Sequence, residues 1–280
     1  MLTDQHINQF ISEDVIFHYD PADHGTFIPT LVIGLGGTGM KVLRHLKKHL
    51  QRNYDHDILL MGIDTDTKES RDYPELPKLS DSELVELDGD IAARVLAQAS
   101  AAPLQNRHIL DFLPADKPEE PTLHYEVGAN VRKNAGAGQL RRAGRLFFQA
   151  NLLSGANLMG RLREAHTKLT NLTIRQEKRQ RGIEYASGAR VYVVGSLAGG
   201  TGAGMLLDML AAIRSVFDNP LDRTAAFCVL PGHLLDQWLR DPHKEMPQTR
   251  ANTVGMLQEL QAAIMGELND VPFHLGFGED

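Results

Sequence analysis

Cysteine is almost absent. Cys228 is the only one in 280 residues, which excludes an intramolecular disulfide framework and any multi-cysteine metal centre. It sits in the apolar run Ala225 to Leu230, where a small thiol packed in a strand is expected and no chemistry is assigned to it. No apolar run approaches the roughly 18 residues that a membrane-spanning helix needs, so no membrane insertion is expected. Met1 to Asn8 has neither the basic start nor the apolar stretch of a secretory leader, and the expected location is cytoplasmic. Several catalytic motifs are missing too. There is no Gly-x-x-x-x-Gly-Lys-Ser/Thr loop, no Gly-x-Ser-x-Gly elbow around Ser196 and no His-Glu-x-x-His; His45 and His49 form the only histidine pair at i, i+4 and read as solvated helix residues.

What is present has the balance of a globular α/β protein, with 42% apolar and 23% charged residues. The net charge of −7 hides an uneven distribution. From Arg132 to Arg181 twelve cations face only two acids, Glu164 and Glu177, while the rest of the chain is strongly acidic. That segment suits a phosphate ligand or an acidic face of another copy. From Arg161 to Arg181 a solvated helix face is the favoured reading. Aromatics, 6% overall, are sparse there, so nucleic acid is not an expected partner.

Residues 1–26 carry little periodicity and read as an N-terminal extension, leaving 27–280 as the folded domain. Phe27 to Ile33 predicts a buried strand that breaks into Gly34-Leu35-Gly36-Gly37-Thr38-Gly39, followed by an amphipathic helix through Met40, Leu43, Leu46 and Leu50. Ile58 to Ile63 predicts a second strand ending in Asp64-Thr65-Asp66. The stretch from about 67 to 121 is acidic and proline-punctuated and reads as an insertion with short helical patterns such as Ile91 to Ala99. Further strands are predicted at Leu123–Val127, Ala189–Val194, Thr224–Leu230 and Phe273–Phe277. A helix through Leu146, Phe147 and Leu152 should continue as a polar helical stretch to Gln180; another follows from Met205 to Phe217. The last, near Thr249–Leu268, should bury Val254, Leu257, Leu260 and Ile264 on one side. Strand, glycine loop and helix in alternation imply a three-layer α/β fold with a mostly parallel sheet and helices on both faces.

Three glycine-rich loops precede helices: Gly34 to Gly39, Gly136 to Gly138 and Gly199 to Gly204. A helix N-terminus presents unpaired N–H groups and about half a positive charge, and small residues let an anion approach it closely. Tight turns and close helix-to-strand packing are the competing explanation for each loop alone. For Gly199 to Gly204, which carries Thr201 and follows a buried strand, turn geometry alone explains too little.

The run Gly195-Ser196-Leu197-Ala198-Gly199-Gly200-Thr201-Gly202-Ala203-Gly204 resembles the signature loop of the tubulin and FtsZ superfamily. Gly34 to Gly39 resembles that family's first glycine loop. Gly62-Ile63-Asp64-Thr65-Asp66 resembles its Asn-Thr-Asp segment with Asp64 in place of Asn, and Gly136-Ala137-Gly138 with Gly144-Arg145 resembles its third phosphate loop. The match runs from Phe27 to about Leu230, and the nearest group is the bacterial tubulin-like proteins distinct from FtsZ. The resemblance implies a GTP- or GDP-binding domain with Mg²⁺. Ser196, Gly199, Gly200, Thr201, Gly202 and Ala203 would cradle the α- and β-phosphates, and Gly36, Gly37 and Thr38 would approach them from the first loop. Ala137, Gly138 and Gln139 would sense a γ-phosphate, with Arg141, Arg142 or Arg145 adding charge. Pro231 and, beyond it, Asp236 would stand on the ribose side, and Asp64 and Asp66 would hold the metal or its waters.

The same resemblance implies that the parent protein polymerises head to tail into cytoskeletal filaments, with GTPase activity completed in trans by an adjacent subunit. In the family, base-reading helices and a second, activating domain follow the sixth strand. No counterpart is expected before Asp280, so little hydrolysis is expected from this chain alone. Two alternatives remain. One is a Rossmann-like NAD-binding oxidoreductase using Gly34 to Gly39 and Asp64; the other is a tubulin-like assembly protein that does not hydrolyse its nucleotide.

Overall fold

The computed structural model describes residues 27–53, 58–66, 74–101, 137, 140–152, 157–171, 185, 187–230, 232 and 247–265. In chain order these form β1 (Thr30–Leu35), α1 (Gly36–Asn53), β2 (Ile58–Asp64), β3 (Leu84–Glu86), α2 (Gly89–Ala101), α3 (Arg141–Asn151), α4 (Leu158–Thr170), β4 (Arg190–Ser196), α5 (Gly200–Val216), β5 (Arg223–Val229) and α6 (Pro247–Ile264). The strands make one sheet in the order β3-β2-β1-β4-β5, every pair parallel. The expected α/β class with a parallel sheet is therefore observed.

Alternation along the strands sorts side chains into two layers, because successive residues point to opposite faces. Leu31, Ile33 and Leu35 of β1, Met61 and Ile63 of β2, and Val191 and Val193 of β4 face the larger core with α2, α3, α4 and α5. Val32, Leu60 and Val194 face the other way and are covered by Leu43, Leu46 and Leu50 of α1. All of β1 is buried, as a central parallel strand should be. Each fully buried Leu or Ile contributes on the order of 2 kcal/mol through apolar area removed from water.

Register carries the architecture to the functional end. Leu35 pairs with both Ile63 and Gly195, so the next residue on each strand, Gly36, Asp64 and Ser196, stands at one level along the sheet edge. The chain leaves β1 toward β2 on one side, and the later strand β4 lies on the other. A crevice must therefore open where the helices after β1 and β4 diverge to opposite faces.

Several boundaries differ from the sequence expectation. β1 starts at Thr30 and extends through Gly34 and Leu35, while Phe27 makes an isolated bridge to Tyr185 with ring centroids 5.8 Å apart. The third strand among the described residues is β3, inside the 67–121 segment, whose helix α2 packs on α3. The strands expected at Leu123–Val127 and Phe273–Phe277 lie outside the described residues. The helical run expected from Leu146 toward Gln180 is broken: α3 ends at Asn151, and α4 restarts behind Asn157. Asn157 adopts φ 47° and accepts the Gly160 N–H at 3.2 Å, a cap that tolerates the left-handed conformation because its short polar side chain bonds locally. In α6 the buried face is Thr249, Asn252, Thr253 and Met256 with Leu260, while Val254, Leu257 and Ile264 are exposed. Two of these polar side chains bond to backbone there, Asn252 to the Ala198 carbonyl and Thr253 to the Thr249 carbonyl. Cys228 is half-buried, not enclosed, because β5 is the edge strand among the described residues, and that burial raises its thiol pKa.

Two contacts hold the helices in place around the crevice. The first turns of α3 and α5 meet backbone to backbone: a Cβ on Gly144 would lie 2.2 Å from the Gly200 carbonyl oxygen, and one on Gly204 2.2 Å from that of Arg141. Gly144→Ala must therefore push the two helices apart, and overpacking of this kind costs about 1–3 kcal/mol, read as a lower midpoint of urea unfolding. The second contact pins the turn before β3. Glu83 accepts the ammonium of Lys47 on α1 and the N–H and hydroxyl of Ser80 at 2.7 and 2.8 Å. Burial pushes the Glu83 carboxyl up, but the bonds from Lys47 and Ser80 outweigh it and hold the pKa below the usual glutamate value. A depressed pKa stabilises the fold at neutral pH, and that contribution is lost as the pH falls through the glutamate range. Glu83→Gln is expected to flatten the acid limb of the stability profile between about pH 6 and pH 3, measured as urea midpoints.

Candidate functional site

The carboxyl ends of β1, β2 and β4 and the N-termini of α1 and α5 enclose a cleft of about 190 Å³. Its walls are Leu35 to Thr38, Asp64 to Asp66, Ser196 and Gly199 to Gly202. Each wall arises from a local constraint. Gly36 has φ +64°, a conformation that L side chains rarely adopt, and it turns the chain from β1 straight into α1 against Thr201. Gly39 lies so close to the Val194 carbonyl that a Cβ would sit 2.5 Å from it, which seats α1 directly on the sheet. Gly202 is required in the same sense by the Ser196 carbonyl at 2.7 Å.

Gly199 is different. It is the N-cap of α5, its φ of −82° and ψ of 159° suit any residue, and a Cβ built on it meets nothing within 4 Å among the described residues. Neither backbone strain nor packing explains glycine there; what its missing side chain leaves is room in the cleft. Because this N-cap has no side chain, no side-chain oxygen caps the first turn of α5, whose N–H groups are the ones an anion would use.

The carboxylates divide their work unequally. Asp64 is buried, and its Oδ1 accepts the N–H of Thr65 at 2.7 Å and of Asp66 at 3.3 Å, so it organises the turn after β2. Asp66 also lines the cleft and is only half-buried. Among the described residues no cluster of three or more metal-ligating side chains occurs. Thr201 and Thr65 are buried with their hydroxyl oxygens 2.8 Å apart, and the Ala137 N–H donates to Thr65 Oγ1 at 2.8 Å. Behind the loop, the side chain of Asn252 on α6 donates to the Ala198 carbonyl at 2.9 Å.

Of the residues the sequence nominates, Gly36, Gly37, Thr38, Asp64, Asp66, Ser196, Gly199, Gly200, Thr201 and Gly202 converge on this one cleft. Ala137 and Ala203 stand behind it: Ala137 is fully buried against Thr65, and the Ala203 N–H closes a helical bond to the Gly199 carbonyl at 3.2 Å. Gly138, Gln139, Pro231 and Asp236 lie outside the described residues. Two of the three neighbouring arginines have partners of their own, while Arg142 has a buried Nη1 with no hydrogen-bond partner among the described residues. Arg145 forms a two-pronged pair with Asp208 of α5 at 2.8 and 3.1 Å, and Arg141 bonds to Glu259 and to the Ala203 carbonyl. Burial raises the Asp208 pKa even against the pull of Arg145. Burial, with Arg141 beside it, lowers that of Arg142. Thr65 and Asn252 escaped the sequence reading, since neither has a motif signal of its own beyond Thr65's place in Asp64-Thr65-Asp66.

A family described as tubulin-like matches residues 31–276. The chain belongs to the tubulin-like family. No curated protein matches it. Among solved structures it is similar to CetZ2 from Haloferax volcanii in a GTPγS-bound protofilament (16% identity, TM-score 0.42, 82% of this chain and 45% of that one). It is also similar to CetZ1 from the same organism as a GDP-bound monomer (12%, 0.40, 82% and 47%). A third match is CetZ from Methanosaeta thermophila strain DSM 6194 (13%, 0.38, 89% and 57%). This tubulin-like chain spans about half the length of those structures. Among its described residues no helix is long and apolar enough to cross a membrane.

The role of Gly199 in this tubulin-like cleft can be tested directly. Gly199→Val places a branched side chain in open space, so the fold should lose no more than about 1 kcal/mol, the size of an N-cap change. Binding of inorganic pyrophosphate, followed calorimetrically, should be abolished. A variant that folds and binds pyrophosphate as the wild type does removes Gly199 from the site.

Proposed function

We propose that the chain is the nucleotide-binding part of a tubulin-like protein that holds GTP or GDP with Mg²⁺ and assembles head to tail into filaments, with hydrolysis completed in trans by an adjacent copy. The observation that carries this reading is the glycine at 199, whose identity nothing among the described residues requires and whose missing side chain leaves the mouth of α5 open. In this reading the N–H groups of Gly200, Thr201 and Gly202 bind the α- and β-phosphates, helped by the Thr201 hydroxyl and the Ser196 side chain. Gly36, Gly37 and Thr38 close the opposite wall. A loop of small residues at a helix start can approach phosphate oxygens without steric clash and with the helix dipole favouring the negative charge.

Mg²⁺ fits the donor set because a small hard ion takes a few carboxylate oxygens and keeps water and phosphate oxygens for the rest. Asp66 is the main protein ligand in this reading, with Asp64 holding the turn that presents it. Gly138 and Gln139, which follow the buried Ala137, would meet a third phosphate. Pro231 lies toward the ribose. The size of the cleft, about 190 Å³, is below the usual range for a whole drug-sized ligand and suits the phosphates, so base and sugar would extend beyond the described walls.

The NAD-dependent oxidoreductase reading has one observation on its side. The strand order β3-β2-β1-β4-β5 with an acid at the end of β2 is also that of dinucleotide-binding folds. Against it, Asp64 is buried and its Oδ1 is engaged with backbone N–H groups, and the loop Gly199 to Gly204 has no task in that reading.

Calorimetric titration with GTP, GDP, ATP and NAD, each with and without Mg²⁺, decides between them. Guanine-nucleotide binding that strengthens with Mg²⁺ is expected. NAD binding without a response to GTP overturns the proposal. Thr201→Val should weaken GDP about tenfold, the loss of one hydrogen bond to a charged acceptor at about 1–2 kcal/mol.

A further inference from the structure

The residue before Gly199 is held from behind. Asn252 of α6 is 5% exposed, and its side-chain amide donates to the Ala198 carbonyl at 2.9 Å. The two preceding peptides have other anchors: the Leu197 N–H donates to the Val229 carbonyl of β5 at 3.1 Å, and the Ala198 N–H to Ser196 Oγ at 3.1 Å. The peptide joining Ala198 to Gly199 thus takes its direction from α6. That helix is itself fixed to the starts of α3 and α5. Arg141 bonds to Glu259 and to the Ala203 carbonyl, and its guanidinium lies on Gly255, where a Cβ would come 2.5 Å from Nη1. Asn252 stands just under one turn before Gly255 on the same helix.

Covalent geometry then sets where the next donor points. The peptide is trans, and in a planar trans peptide the C=O and the following N–H point in opposite directions. With the Ala198 oxygen drawn toward α6, the Gly199 N–H faces away from α6, and Gly199 lines the cleft. That N–H has no hydrogen-bond partner among the described residues. It precedes the helical ladder, in which the Ala203 N–H bonds to the Gly199 carbonyl at 3.2 Å. Glycine leaves this peptide free to turn, because reversing it carries residue 199 from φ −82° to a positive φ, which glycine adopts at no steric cost. The bond from the buried Asn252 amide removes that freedom.

We infer that Asn252 is a positioning residue which, by holding the Ala198 carbonyl, aims the Gly199 N–H into the cleft as a further donor to a phosphate oxygen. The inference rests on the phosphate-binding part of the nucleotide reading above and ties α6, a helix outside the cleft walls, to the strength of that binding.

The test compares the wild type with two variants of α6. Asn252→Leu keeps the approximate shape of the side chain and removes the donor. Thr253→Val removes a buried hydroxyl bonded to the Thr249 carbonyl at 2.9 Å, and so disturbs the same helix without touching the loop. Calorimetric affinities for inorganic pyrophosphate and for GDP, both with Mg²⁺, are measured beside urea midpoints. In wild-type protein labelled with ¹⁵N-glycine, the Gly199 amide signal is followed as pyrophosphate is added. Both variants should lower the midpoint. Asn252→Leu should weaken both ligands about tenfold, the loss of one well-aimed hydrogen bond to a charged acceptor, while Thr253→Val changes them less than about threefold. The Gly199 amide proton should move downfield with pyrophosphate. Unchanged affinity in Asn252→Leu, equal weakening in the two variants, or a Gly199 signal that ignores pyrophosphate overturns the inference, and the last decides even where Asn252→Leu does not fold. Pyrophosphate binding that Asn252→Leu weakens, with no response of the wild type to GDP, removes the nucleotide reading and leaves the positioning role standing. A wild type that binds neither ligand overturns both.

Discussion

The level at which β1, β2 and β4 end is the constraint on which the rest of the site depends. Because Leu35 is in register with Ile63 and Gly195, three chain segments leave the sheet side by side, and each contributes one wall of a single cleft. A shift of one residue in any pairing would turn the exit to the other face of the sheet, since side-chain direction alternates along a strand. Burial of alternate residues on both faces makes such a slip costly. Leu31 and Ile33 cannot exchange places with Val32 without abandoning the larger core.

Upon that frame, glycine serves three separate purposes. Gly36 supplies a positive φ. Gly39, Gly144, Gly202 and Gly204 let helices and strands approach backbone to backbone, which a methyl group would prevent. Gly199 has neither purpose and clears the mouth of α5. The glycine-rich signature of a tubulin-like chain is thus mostly a packing device that brings helix N-termini to the sheet edge, with one position reserved for space. The consequence for function is rigidity: the N–H groups facing the cleft belong to turns whose positions are dictated by backbone contact.

Charge follows a similar division. The basic segment is conspicuous in the sequence, but three of its described cations are engaged with carboxylates, while Arg142 keeps a buried Nη1 without a hydrogen-bond partner among the described residues. Arg145 holds α3 to α5 through Asp208, Arg141 joins α3 to α6 through Glu259, and Lys168 pairs with Glu164 along α4. The Arg145 pair is the one with a buried carboxylate, where burial disfavours the ionised form and the guanidinium compensates it in part. What remains for an anion at the cleft is chiefly the unpaired N–H groups of helix starts and the threonine hydroxyls.

The alternation of buried strands, glycine loops and amphipathic helices was enough to read the parallel α/β class, the order of β1, α1, β2, β4, α5 and β5 along the chain, and ten of the residues that line the cleft. Those features are local: strand period, glycine at a turn and apolar spacing on a helix each leave a mark within a few residues. Tertiary structure alone decided that α6 buries Thr249, Asn252 and Thr253 while Val254, Leu257 and Ile264 stay exposed, that Leu84–Glu86 joins the sheet, and that Ala137 meets Thr65 instead of facing the cleft. Each of these is a contact between residues far apart in the chain, formed only when the helices lie on the sheet, and a hydroxyl or an amide carries no sign in the sequence of which distant partner it will find.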